Sequence, residues 1–133
     1  MTIQEYLLTV ADAVAQRSKC RRKVGCVIAD SQGRILSTGY NGLPRGMTNC
    51  TIDTCTNLAN APGECLAIHA EQNAILFCTQ PERAHYIAVT RLPCTNCALL
   101  LIQLQGVELI YRYENSYPKA LELLERGYVI TKI

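Results

Sequence analysis

Tryptophan is absent, phenylalanine occurs once, and histidine occurs only twice, as His69 and His85. So few stacking aromatics make a poor reader of single-stranded nucleic acid. A net charge of +2 supplies no basic coat for a phosphate backbone. No apolar run reaches the roughly 20 residues that cross a bilayer, so no membrane partner is expected. Met1-Thr2-Ile3-Gln4-Glu5 carries no positive side chain, so no secretory signal is read there and the expected compartment is the cytoplasm. What remains is an ordinary globular composition, 133 residues with 49% hydrophobic and 18% charged. That is enough for one domain over residues 1–133 with one core.

Cysteine is what the chain has in excess, with eight: Cys20, Cys26, Cys50, Cys55, Cys65, Cys78, Cys94 and Cys97. In a reducing compartment such a count points to metal rather than to disulfides. With two histidines available, any zinc site must be mostly thiolate.

Periodicity gives the order of elements. Thr2-Ile3-Gln4-Glu5 reads as a capping box, and Ile3, Tyr6, Leu7, Val10 and Val14 recur at helical spacing to about Gln16. A basic segment follows, with Arg17, Lys19, Arg21, Arg22 and Lys23. Runs at 24–29 and 34–40, split by Asp30-Ser31-Gln32-Gly33, read as a hairpin. Residues 41–63 are turn-rich. The remainder alternates: a helix over about 68–79, a strand at 85–90, a helix from Pro93 to before Gly106, a strand at 107–112, a helix over about 118–126 and a strand at 128–133. Such alternation predicts an α/β fold with helices on both faces of one mixed sheet.

The second helix poses a chemical problem. In "LAIHAEQNAI", residues 66–75, a histidine and a glutamate interrupt an apolar run, and burying them unpaired would cost several kcal/mol. "LPCTNC", residues 92–97, places Cys94 and Cys97 on one side of a first helical turn. If both segments open helices whose N-termini face one another, His69, Cys94 and Cys97 can surround one tetrahedral Zn²⁺. The fourth position then stays open for water, as in catalytic sites, and the helix dipoles offset the thiolates. Glu71 is left beside the metal as a candidate general base. A lone core histidine or a lone C-x-x-C has ordinary structural explanations. Together, H-x-E followed by P-C-x-x-C is the established signature of zinc nucleobase deaminases.

Four stretches, "SKCRRKVGCVI", "GYNGLPRG", "HAEQNAILF" and "PCTNC", together resemble the deoxycytidylate (dCMP) deaminases, particularly their phage and bacterial form, within the zinc-dependent cytidine deaminase superfamily. The likeness runs from the helix before Ser18 to the final strand. It implies a three-layer α/β/α fold around a mixed sheet of about five strands and a homohexamer. It also implies conversion of dCMP to dUMP for thymidylate synthesis, with activation by dCTP and inhibition by dTTP, a triphosphate effector carrying Mg²⁺. Carried over by position, His69, Cys94 and Cys97 hold zinc. Glu71 shuttles protons from the zinc-activated water to ring N3 and to the leaving ammonia. Asn41 meets the sugar, although Asn41-Gly42 also reads as a simple turn. The resemblance further implies a second, structural zinc on Cys20, Cys50 and Cys65, with Cys55 as candidate fourth ligand, where buried free thiols are the plainer reading. Cys26 and Cys78 are read as core.

The basic segment is either a solvated face or the place where Arg21 or Arg22 meets the substrate phosphate. Residues 18–25 are one shorter than the family pattern, which leaves the matching arginine open. Gly42 and Arg45 are candidate effector contacts, since that loop can approach a nucleotide closely. Two further departures are Gln80, where allosteric relatives have an effector-linked arginine and this chain has Arg83 three residues on, and Leu92, where a polar residue often precedes the Pro-Cys. Two rival functions are a deaminase of bases in tRNA or single-stranded DNA, disfavoured by the aromatic and charge content, and a zinc-stapled interaction module, for which Glu71 would have no use.

Overall fold

The computed structural model describes residues 1–48 and 65–133. Among them are five strands, β1 (Gly25–Ala29), β2 (Ile35–Tyr40), β3 (Tyr86–Arg91), β4 (Glu108–Tyr113) and β5 (Val129–Lys132), and four α-helices, α1 (Ile3–Ala15), α2 (Ala70–Leu76), α3 (Thr95–Leu104) and α4 (Pro118–Leu124). The sheet order is β2-β1-β3-β4-β5. β1 runs antiparallel to β2 and β3, while β3, β4 and β5 are parallel. This is the expected mixed sheet, and its two faces carry separate cores. Val27, Ala29, Ala88 and Ile110 pack under α1. Cys26, Ile28, Ile87, Val89 and Leu109 pack with residues of α2, α3 and α4. The three-layer α/β/α arrangement follows.

The capping box forms as read. Thr2 Oγ1 accepts the Glu5 N–H at 3.1 Å, and Glu5 Oε2 accepts the Thr2 N–H at 2.8 Å. The inward face of α1 is Leu7, Leu8, Ala11 and Ala15, while Tyr6 is exposed. Small residues face the sheet because the helix sits close: a Cβ on Gly25 would run into the Ala11 carbonyl and lie 2.7 Å from the Ala15 nitrogen.

α2 is shorter than the periodicity suggests. Ile68 is taken by a two-way bridge with Gly42, N–H to O distances 2.8 and 3.1 Å, so the helix begins two residues later. At the other end Leu76 and Phe77 are exposed. Among the described residues no core lies beneath them, and Pro81 opens a 3-10 turn, Pro81–Arg83. α3 likewise starts at Thr95, with Pro93 just outside it.

α2 is seated on the sheet at Gly39, where an added Cβ would meet the Ala70 carbonyl and the Ala74 nitrogen. Ser37 on the same strand donates its hydroxyl to the Ala74 carbonyl at 2.7 Å. Gly39→Ala is therefore expected to lower stability by about 1–3 kcal/mol and to reduce activity by displacing the helix that carries Glu71. An unchanged denaturation midpoint would show that the helix is not seated there.

Candidate active site

His69 and Cys94 occupy equivalent places, the N-cap residues of α2 and α3, both with extended backbone. Cys97 lies in the first turn of α3 and is fully buried. The His69 N–H is satisfied by Gln72 Oε1 at 2.8 Å, which fixes the backbone and leaves the imidazole to face α3. Its Nδ1 lies 3.5 Å from Cys94 Sγ and 3.3 Å from Cys97 Sγ. The three donor atoms all fall within 4.8 Å of one another. Two thiols and one imidazole converging at that spacing suit a tetrahedral zinc ion, with one coordination position left over.

The electrostatics agree with that donor set. The Cys94 thiol is pulled down to about 4 by hydrogen bonding from Cys97 and then from His69, against the opposing effect of burial. Cys97 moves the other way, because it shares its proton with Cys94 and is buried. Without a metal the pair therefore holds one proton between two sulfurs, whereas a dication would take both as thiolates. The hydrogen bond with Cys94 raises His69.

Glu71 follows in the first turn of α2, 4% exposed. Burial pushes its carboxyl up to about 7, more than the opposing effects of its own backbone N–H and of His69. A buried carboxyl beside such a donor cluster is placed to move protons at the site. Cys26, fully buried in β1, feels the Glu71 charge, and burial with that charge raises its thiol well above the ordinary range.

A cleft of about 690 Å³ opens onto this cluster, and Arg21, Arg22 and Asn41 are among the residues that line it with His69, Glu71 and Cys94. The Asn41 side chain is a latch. Its Oδ1 accepts the Val24 N–H at 2.9 Å, and its Nδ2 donates to the Arg22 carbonyl at 2.7 Å. The Ser18 hydroxyl closes the same joint on the Asn41 carbonyl at 2.8 Å. Asn41 thus borders the cleft and holds the basic segment against it. Gly42 is bridged to Ile68, next to His69. Arg45 is exposed and is not among the residues lining the cleft.

Of the cysteines assigned to a second zinc, Cys20 and Cys65 are half-buried and Cys65 lines the cleft. Cys50 and Cys55 lie outside the described residues. Cys26 is core, and Cys78 packs half-buried against it. Leu92 is buried in the same cluster, which accounts for an apolar residue ahead of Pro93. Gln80 and Arg83 bind one another at 2.9 Å, and Arg83 pairs with the buried Asp30 at 2.8 Å.

Among the cleft residues not apparent from the sequence are Arg91, Asn115 and Tyr117. Asn115 Nδ2 donates to the carbonyls of Leu92 and Pro93 at 2.8 and 2.7 Å, and its Oδ1 accepts the Tyr117 N–H at 2.9 Å. It clamps the turn that presents Cys94. Asn-Ser-Tyr-Pro could have been recognised as an Asx turn, but its reach to residues 92 and 93 is tertiary.

A thiol–imidazole cluster at two helix ends, with a buried carboxylate beside it on an α/β/α scaffold, defines a zinc-dependent hydrolase. Residues 1–113 match the family described as the cytidine and deoxycytidylate deaminase zinc-binding region. The deoxycytidylate deaminase of Mycobacterium phage D29 is 38% identical over 128 residues, spanning 86% of this chain and 93% of its own. That of Schizosaccharomyces pombe is 39% identical over 116 residues, where 80% of this chain matches 35% of a longer protein. A crystal structure of dCMP deaminase from cyanophage S-TIM5, in complex with dCMP and dUMP, superposes with a TM-score of 0.83 at 28% identity, covering 100% of this chain and 99% of the other. The chain belongs to the cytidine and deoxycytidylate deaminase family.

Proposed function

We propose that the protein deaminates dCMP to dUMP and ammonia, with His69, Cys94 and Cys97 holding zinc and Glu71 as proton shuttle. The observation that carries this reading is the buried Glu71 carboxyl beside the three-donor cluster, on a cleft that arginines also line. The names of the phage relatives supply the choice of dCMP.

Zinc bound to the three donors supplies a Lewis acid that makes water nucleophilic near neutral pH. The chain's own residues do the rest. Glu71 takes a proton from the attacking water as the new C4–O bond forms, and delivers one to N3 of the ring. It then takes the proton of the new C4 hydroxyl and carries it to the 4-amino group, so that the C4–N bond breaks with ammonia as leaving group and the C4 carbonyl forms. Asn41 borders the sugar and keeps the basic segment in place. Arg21 or Arg22 meets the phosphate, and of the two Arg22 is anchored through its carbonyl by Asn41.

A second, structural zinc is assigned to Cys20, Cys50, Cys65 and Cys55, and the enzyme to the cytoplasm. Leu76, Phe77, Leu99 and Leu100 are exposed on α2 and α3, apolar surface that the expected homohexamer would cover. Regulation by dCTP and dTTP, with Mg²⁺ on the triphosphate, is assigned to the loop of Gly42 and Arg45. The bridge from Gly42 to Ile68, next to His69, supports coupling between that loop and the catalytic cluster. Arg83 does not replace the effector-linked arginine missing at Gln80, because Asp30 holds it.

The deciding experiment is ammonia release from cytidine, dCMP, dCTP and single-stranded DNA, with dCMP rates repeated in the presence of dCTP and dTTP. Turnover of dCMP above the others is expected, with a sigmoidal dependence that dCTP makes hyperbolic and dTTP suppresses. Preference for single strands would replace the substrate reading. Superimposable hyperbolic curves would remove the regulation and leave the chemistry.

A further inference from the structure

Arg91 closes β3. Along that strand Ile87 and Val89 face the core beneath α2 and α3, while Tyr86 and Ala88 face α1. Alternation therefore turns Arg91 to the face that carries the catalytic cluster, and it lines the same cleft as Arg22. Its guanidinium is held in position. Nη1 donates to the Glu114 carbonyl at 2.7 Å, and the group lies 5.6 Å from the centroid of the Tyr113 ring.

Neither contact neutralises the charge. The Glu114 carboxylate is engaged by Lys132 at 2.7 Å. Among the described residues the ion pairs take Arg83, Arg112 and Lys132, so that neither Arg91 nor Arg22 has a carboxylate partner. The two cations stand close enough to oppose one another: burial lowers the Arg91 pKa first, and the charge of Arg22 lowers it further. Arg22 is exposed at the side chain and anchored at its carbonyl, 2.7 Å from Asn41 Nδ2.

Two guanidinium groups on one cleft, with no carboxylate partner among the described residues, call for an anion. A phosphate monoester carries close to two negative charges at neutral pH and offers oxygens for the fork of each arginine. Binding it removes the repulsion between the arms, whereas a free nucleoside leaves that repulsion in place.

We propose that Arg91, with Arg22, forms a two-armed phosphate receptor that makes this cleft select a pyrimidine nucleoside 5′-monophosphate over the free nucleoside. The proposal rests on the deaminase reading of the same cleft and assigns its specificity to a residue outside the basic segment.

The test compares zinc-loaded wild type, Arg91→Leu and Arg91→Lys on dCMP and on deoxycytidine, with calorimetric binding of inorganic phosphate to each. Arg91→Leu is expected to lose about 30- to 100-fold in kcat/KM for dCMP, mainly through KM, as expected when charge-assisted contacts made in ground and transition states alike are removed. Its kcat/KM for deoxycytidine should stay within about 3-fold of wild type, and Arg91→Lys should recover part of the dCMP loss, as a point charge in place of a fork. Equal loss on both substrates, or no loss on dCMP, would overturn the receptor. If Arg91→Leu fails to fold, Arg91→Lys carries the same comparison, with a smaller dCMP-selective loss expected and an equal loss on both substrates overturning it. Should wild type turn over neither substrate, the deaminase reading fails, and phosphate affinity judges the receptor separately: weakening in the Arg91 variants upholds it, and equal affinity overturns it.

Discussion

Glu71→Gln is expected to cost about 10²–10⁴-fold or more in kcat while zinc content and fold persist. Glutamine matches glutamate in size and fits a site that is 4% exposed, but it cannot hold and release a proton. In the metal-free protein burial brings the Glu71 carboxyl up to about 7 from an ordinary 4.5. Activity within a few-fold of wild type would remove Glu71 from the proton path. Stability supplies an independent readout in the metal-free protein. Below the ordinary carboxylate pKa the group is protonated in both the folded and unfolded chains and has no effect. As pH rises toward 7 the unfolded chain ionises while the folded protein does not, so folding becomes less favourable, by a total on the order of 3 kcal/mol. Metal-free Glu71→Gln lacks that cost. It should be more stable than metal-free wild type above pH 7, with the gap closing below about pH 4.5. Chemical denaturation at both pH values checks the sign, and a gap that widened on acidification would contradict the buried-carboxyl account.

Cys97→Ala is expected to remove one equivalent of zinc per chain and to reduce turnover to background. Cys97 is fully buried, and its sulfur lies 3.3 Å from His69 Nδ1, so its loss leaves two ligands where three protein donors are needed for an open tetrahedral site. Cys26→Ala is the control. Cys26 is equally buried and close to Glu71, yet it stands outside the donor cluster. That substitution should keep the metal and cost only packing, roughly 1 kcal/mol for a group of this size. Metal analysis of both variants distinguishes them. Full zinc in Cys97→Ala, or its loss in Cys26→Ala, would mean that the donors are misassigned.

The chemical core was legible in the sequence because it is encoded locally. A candidate metal ligand at a helix N-cap and one in the first turn are defined by neighbouring residues, so "HAE" and "PCTNC" pointed to His69, Cys94 and Cys97, whose donor atoms the fold brings within 4.8 Å of one another, and to the buried Glu71. Alternation announced the strands, and the capping box announced α1. Periodicity overextended α2 because Leu76 and Phe77 continue its apolar pattern while facing outward, and apolar spacing does not reveal whether anything lies beneath it.

Asn41, Arg91 and Asn115 mark the other side of that boundary. As a sequence element Asn41-Gly42 suggested a turn and, by family likeness, a sugar contact. The fold adds that its amide pins residues 22 and 24. The strand read from the sequence at 85–90 stops one residue short of Arg91, and no role was read for Asn115. The sequence by itself picked out the candidate zinc donors and the candidate proton-moving carboxylate, and the order of the elements that carry them. Only the tertiary structure decided how the cleft around those atoms is closed and charged. Its joints are hydrogen bonds from Asn115 to Leu92 and Pro93, some twenty residues away, and the gathering of Arg22 and Arg91 on one cleft. Those depend on strand order and helix seating, which no local periodicity encodes.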